Sequence, residues 1–297
     1  MQNDRTLSEE LKFQYRFGGM HIRLIFINTI VFFSMKLLDL IGRITDQDLL
    51  FQIIKVRIFA LQTYLPELVI APYGFLTNIF AHFSFVHFLM NMVFLYLSGN
   101  IFRQFFSDRR LLHVYILGGI AGGIAEVIVQ QFIGIYPLVI GSSGAVMAVF
   151  MAIAVYKPNM RVMFFGILPV KLYVLALLFV GADLIQMIQI DGVAHFAHLG
   201  GALIGFLSVQ NLYASSNIIN WTESLHQRLL GAFSGKKRAP KMKAQKGGRV
   251  VKSDEEYNLD AKERQERIDK ILDKISKSGY ESLTKAEKDF LFSQSNK

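Results

Sequence analysis

Between residues 20 and 213 the chain is mostly apolar, and its long apolar runs constrain its fold more than anything else in the sequence. They span 22–41, 83–102, 111–133, 142–156, 167–190 and 193–213. A helix needs about 20 apolar residues to cross the ~30 Å hydrocarbon core of a bilayer. Only helices and closed barrels satisfy their backbone there. Continuous runs of this length predict helices rather than strands. The expected fold is therefore all-α, a polytopic bundle of six transmembrane helices followed by a soluble, basic, partly helical C-terminal tail. Composition agrees: 52% of the 297 residues are hydrophobic and 19% charged, against about 25% charged in soluble domains. A purely soluble enzyme and an intrinsically disordered chain are both excluded. With no cysteine, disulfides, thiolate metal sites and a cysteine nucleophile are excluded too.

Charge divides the chain into segments. Residues 1–20 are mixed polar, without the apolar core or small-residue cleavage site of a signal peptide, and are expected to form a cytoplasmic N-terminal segment. Residues 21–213 form the membrane domain, 214–260 a basic linker and 261–297 a small helical segment. The apolar stretch 49–65 is interrupted by Lys55 and Arg57, and reads as an interfacial helix lying on the bilayer. Basic residues flank alternate loops: Lys12, Arg16 and Arg23, then Arg103, Arg109 and Arg110, then Lys157, Arg161 and Lys171. The positive-inside rule then places both termini in the cytoplasm. Arg43, Lys55 and Arg57, in a long outer loop, depart from the pattern.

Polar groups inside apolar spans are costly and point to function. The candidates are His87 and Asn91, Glu126, Ser142 and Ser143, Asp183, and His195 and His198. In G-S-S-G (141–144) a serine opens a short helix. The first N–H groups of a helix lack intrahelical partners, and its dipole favours negative charge there. A nucleophile and an oxyanion donor can thus share one residue; the bland alternative is an ordinary helix cap. In A-H-F-A-H-L-G-G the two histidines lie three apart on one helix face. His198 stands roughly six residues in from the outer loop, about 9 Å along the helix. That depth matches Ser143, as a nucleophile and its general base require. His87 and Asn91, one turn apart, can donate side-chain hydrogen bonds to an oxyanion. His82, nearer the outer edge, reads as structural, and His195 as structural or substrate-adjacent rather than the base. Glu126 and Asp183 read as interhelical hydrogen-bond partners, protonated in their apolar setting. The pairs Gly118/Gly122, Gly119/Gly123 and Gly201/Gly205 mark close helix approach. H-E-x-x-H is absent, which argues against a zinc protease. Asp183 has no second aspartate deep inside a span with which to form an aspartyl pair.

H-F-S-F-V-H-F-L-M-N (82–91), then G-S-S-G-A-V-M-A, then A-H-L-G-G-A-L-I-G together resemble the rhomboid intramembrane serine proteases, over about residues 20–213. The resemblance implies a serine endopeptidase that cuts transmembrane segments of other membrane proteins. Ser143 would be its nucleophile and His198 its general base, a dyad without a third carboxylate. His87 and Asn91 would complete the oxyanion hole with the Ser143 N–H. No metal and no cofactor are implied. Three positions depart from the family pattern: Tyr73-Gly74 where many members carry Trp-Arg, Met147 where many carry tyrosine, and Phe102 where some bacterial members carry glutamate. The rival class is a catalytically silent rhomboid-fold protein that binds membrane proteins and governs their folding or turnover. Such members typically lack the serine or the histidine.

The basic run 236–252 contains no acid, and reads as a partner for anionic lipid headgroups rather than for nucleic acid, since interleaved aromatics are missing. Beyond it, Ile268, Ile271, Leu272 and Ile275 follow helical spacing, Gly279 is a stop, and T-K-A-E (284–287) is a capping box. This tail resembles those of rhomboid-like proteins from Bacteroidetes-type bacteria. The expected location is the bacterial inner membrane.

Overall fold

The computed structural model describes residues 6–164, 166–187, 193–233, 268–279, 282–288 and 290. The basic run 236–252, the end of the fifth apolar run and the Asp-Gly loop after it lie outside the described residues. The chain divides into two compact units, 1–235 and 236–297.

The first unit is helical. It begins with α1 (Leu7–Phe17), α2 (Met20–Ile44), α3 (Asp48–Phe59), α4 (Leu65–Ile70) and α5 (Gly74–Thr77). There follow α6 (Phe85–Phe102), α7 (Asp108–Ile133), α8 (Ser143–Tyr156), α9 (Leu172–Gln186), α10 (His195–Ser208) and α11 (Ile218–Phe233). Two small antiparallel ladders join loops: β1 (Leu61–Gln62) with β2 (Leu138–Val139), and β3 (Arg161–Phe164) with β4 (Leu168–Lys171). Among the described residues, α2, α6 and α7 are long and apolar enough to cross a membrane, while α8 and α9 are shorter apolar helices.

Helix α8 is the axis of the bundle. Every residue from Gly144 to Ala154 is buried, as expected of a helix apolar on all sides. It packs against α6, α7, α9 and α10. By contrast α2, α6 and α9 turn Ile30, Phe33, Leu37, Val93, Leu97, Leu177 and Ile185 outward, a surface matched to hydrocarbon rather than to water.

Small residues set how closely the inner helices meet. A side chain at Gly201 would strike the backbone of Gly144, and one at Gly205 the carbonyl of Ala148. One at Gly122 would come within 2.5 Å of the Ala197 carbonyl oxygen. Helices α7, α8 and α10 therefore touch backbone to backbone, the arrangement that paired glycines permit in lipid.

Several boundaries differ from expectation. The fifth helix starts at Leu172 rather than 167, because the chain first turns at Gly166 (φ +72°) and Pro169 pairs with Met163 in a hairpin; proline is poorly tolerated inside a helix. The stretch 49–65 is helical only to Phe59, where the chain extends into β1. Lys55 is buried and ion-paired with Asp39 of α2. The polar head contains α1, opened by a Thr6–Glu9 capping box. The segment after 214 contains α11, tied to the bundle by Arg110, which donates to the Ser208 carbonyl (2.5 Å), Asn217 (3.1 Å) and Asn220 (2.9 Å).

In the second unit a helix over 268–278 ends at Gly279 (φ +76°). Thr284 and Glu287 form the expected reciprocal cap, and Lys274 reaches Glu287 at 2.9 Å.

Candidate active site

Two helix N-termini build the site. Ser143 is the first residue of α8, and Ser142 precedes it in the cap position without a side-chain cap bond. His195 is the first residue of α10, and Ala194 likewise offers no side-chain cap. The missing cap of α10 is supplied across the bundle: Glu126 of α7 accepts the Ala197 N–H at 3.1 Å, its other oxygen held by Gln130 at 2.6 Å. The Ala197 N–H is shared between Glu126 and the Ala194 carbonyl, 3.0 Å away. Glu126 thereby fixes the first turn of α10, the turn that carries His198.

The loop before α8 is pinned independently. Gly141 donates its N–H to the Asn78 carbonyl at 3.0 Å, and Thr63 donates to the Pro137 carbonyl at 2.8 Å. Gly141 has φ +141°, and a side chain there would meet the His87 ring at 2.6 Å; both facts call for glycine. His82 is fully buried, and its Nε2 accepts the Ser142 N–H at 3.3 Å and lies 3.2 Å from the Ser142 hydroxyl.

The two serines are thus separated in role. Ser142 is buried and engaged with His82, whereas Ser143 is half-buried and its hydroxyl lies 2.8 Å from His198 Nε2. His87 packs its ring over Gly141, and Asn91 is buried one turn further along α6, donating to the His87 carbonyl at 2.9 Å. Met147 is buried in α8 and Phe102 in the core. Tyr73 donates its hydroxyl to the Arg57 carbonyl at 2.9 Å, while Gly74 packs on Ala60 and Leu61.

One partner was not foreseen. Asp183 Oδ1 of α9 lies 2.8 Å from Nδ1 of His198 and 2.8 Å from Nδ1 of His195. One acid oxygen thus faces two ring nitrogens at hydrogen-bond distance. The sequence marks Asp183 as a lone acid in an apolar run, but not its pairing with His198. The same three side chains are a candidate metal cluster, with ligand atoms all within 4.8 Å of one another. Their nitrogen-to-oxygen separations, however, are those of hydrogen bonds.

Residues 71–214 match the Rhomboid domain family, and residues 252–297 match a family of unknown function (DUF6576). RHOMBOID-like protein 12, mitochondrial, of Arabidopsis thaliana is 24% identical over 148 residues, 45% of this chain and 44% of that protein. Presenilin-associated rhomboid-like protein, mitochondrial, of Mus musculus is 28% identical over 139 residues, 44% of this chain and 35% of that protein. The match therefore spans less than half the length of either relative.

Proposed function

The chain carries a rhomboid domain in an all-α membrane protein, and on that premise we propose that it is an intramembrane serine endopeptidase. The observation that carries the reading is the 2.8 Å hydrogen bond between the Ser143 hydroxyl and His198 Nε2 at the start of a buried helix. A hydroxyl is a weak nucleophile until a base within hydrogen-bond reach takes its proton.

The reaction follows from that contact. Ser143 Oγ attacks the scissile carbonyl carbon as its proton passes to His198 Nε2. The carbonyl electron pair moves to oxygen, next to the unpaired N–H groups that open α8, with His87 and Asn91 as further donors. When the tetrahedral intermediate collapses, the C–N bond breaks and His198 returns the proton to the leaving amine. Water, deprotonated by the same imidazole, then releases the acyl group.

The substrates on this reading are transmembrane segments of other proteins. A helical backbone shields its carbonyls, so the segment must unwind locally to reach Ser143. The 14 residues of α8 span about 21 Å at 1.5 Å each, less than the ~30 Å hydrocarbon core. On this reading the short end is the Ser143 end, which sits within the membrane thickness at a depth water can reach from one side. A bacterial inner-membrane location, six spans and both termini in the cytoplasm complete the proposal, with anionic headgroups as partners of the basic run 236–252.

Cleavage of a model transmembrane substrate by the purified protein tests it. Wild type should cut, while Ser143→Ala and His198→Ala, still folded, should not. A folded wild type that binds membrane proteins and cuts none, with the alanine variants binding equally, would instead favour a silent rhomboid fold.

A further inference from the structure

We infer that Asp183 is a positioning residue for His198, so that the reacting pair is the outer part of a Ser143–His198–Asp183 chain of hydrogen bonds. This rests on the proteolytic reading and deepens it, because the resemblance to the family implied a dyad with no third carboxylate.

The argument is one of tautomers. A neutral imidazole carries a single ring proton, on Nδ1 or on Nε2. Only the Nδ1–H form leaves a lone pair on Nε2 to accept the Ser143 proton. In the proposed arrangement Asp183 is ionised and can only accept, so its Oδ1, 2.8 Å from His198 Nδ1, holds the ring proton on Nδ1. The lone pair then points at Ser143 Oγ, 2.8 Å away on the opposite side of the ring. When Nε2 takes the serine proton, the imidazolium that forms lies against the same carboxylate. The Nδ1 proton does not transfer; Asp183 orients the ring and stabilises its charged form.

His195 gives the arrangement rigidity. Its Nδ1 reaches the same Asp183 oxygen at 2.8 Å from a side chain only 5% exposed. Two donors from one face of α10 therefore bracket the carboxylate, whose own side chain is 9% exposed. Asp183 cannot rotate away without breaking both bonds in a place where water is scarce to replace them.

The test uses the full-length protein in detergent, with nitrogen-15 histidine for NMR and a transmembrane substrate for kinetics; His198→Ala assigns the His198 signals. The expected result is a neutral His198 protonated on Nδ1 in the wild type. Asp183→Asn should lower kcat by ~10²- to 10⁴-fold, as a wrongly oriented base does, with KM changed less than about threefold. Asp183→Glu, which restores the carboxylate, should recover part of the lost kcat. An active wild type whose His198 carries its proton on Nε2 would overturn the positioning role. So would a folded Asp183→Asn variant with kcat within about threefold of wild type. If Asp183→Asn does not fold, the wild-type spectrum alone decides. A folded wild type that carries the Nδ1 proton but cleaves nothing would overturn the proteolytic reading instead, which keeps the two failures distinct.

Discussion

Adjacent serines in G-S-S-G meet different histidines, and burial separates their roles. Ser142 is sealed against His82, while Ser143 keeps partial access and bonds to His198. Ser142→Ala should therefore destabilise the fold by about 1 kcal/mol, the worth of an ordinary hydrogen bond, and leave substantial turnover; thermal melting and a cleavage assay read the two effects. If Ser142→Ala were as inactive as Ser143→Ala while folded, the assignment within the motif would be wrong. His87→Ala and Asn91→Ala should each lower kcat by about 10- to 1,000-fold, since a single oxyanion donor is worth ~2.7–4 kcal/mol at most. Unchanged turnover in both, and in the double variant, would reduce them to structural contacts. These residues are legible in the sequence because each is a polar group in an apolar run, at a spacing with few alternatives. Asp183 stands out for the same reason, but its partners do not. They depend on how α9 and α10 align, which no local pattern encodes.

At the scale of elements, the Ser143–His198 distance is set by how closely α8 and α10 approach. Gly201 faces Gly144 with no room for a side chain, whereas nothing stands within 4 Å of a side chain built at Gly181 on α9. Gly201→Val should push the helices apart, cost at least the ~1–3 kcal/mol of an overpacked core, and abolish cleavage. Gly181→Ala should be tolerated and, by restricting the unfolded chain, raise stability by up to about 1 kcal/mol. Equal melting temperatures and equal activity for both variants would contradict the packing account. In the second unit the Thr284 backbone N–H, then the Lys274 ammonium and the Thr284 hydroxyl, hold the Glu287 carboxylate down to about 2 from an ordinary 4.5. A lowered carboxylate pKa stabilises the folded form fully above 4.5, and that contribution fades as pH falls towards 2. A carbon-13 titration of the Glu287 carboxyl in the full chain should show a midpoint near 2; a midpoint near 4.5 would mean that the cap does not form. The 284–287 cap and the Gly279 stop are legible because capping is local chemistry. The start of the fifth helix is not, because a hairpin through Gly166 and Pro169 competes with an equally apolar helix and is decided by pairing between strands.

For the whole molecule, residues 1–235 form one compact unit that contains Ser143, His198, Asp183, His87 and Asn91. Truncation after Gly235 should therefore preserve turnover in detergent. Truncation near residue 215 should not be neutral, because Arg110 would lose its bonds to Asn217 and Asn220 and a buried guanidinium would be left short of acceptors. Comparing melting temperature and turnover of the two truncations checks this, and a folded but inactive 1–235 protein would make the tail part of the catalytic apparatus. The membrane class of the fold is legible from the apolar runs alone, since a bilayer admits so few solutions for a long apolar chain. Which helix is central is less legible: α8 is the shortest of the apolar runs, and only its burial on every side marks it as the axis. All of this converges on one hydroxyl beside one imidazole. Purified, folded full-length protein should therefore be treated with a serine-reactive fluorophosphonate and the adduct mapped by mass spectrometry. A single adduct on Ser143, lost in His198→Ala, is the predicted result; no adduct on the folded wild type, or one on Ser142 instead, would contradict the account.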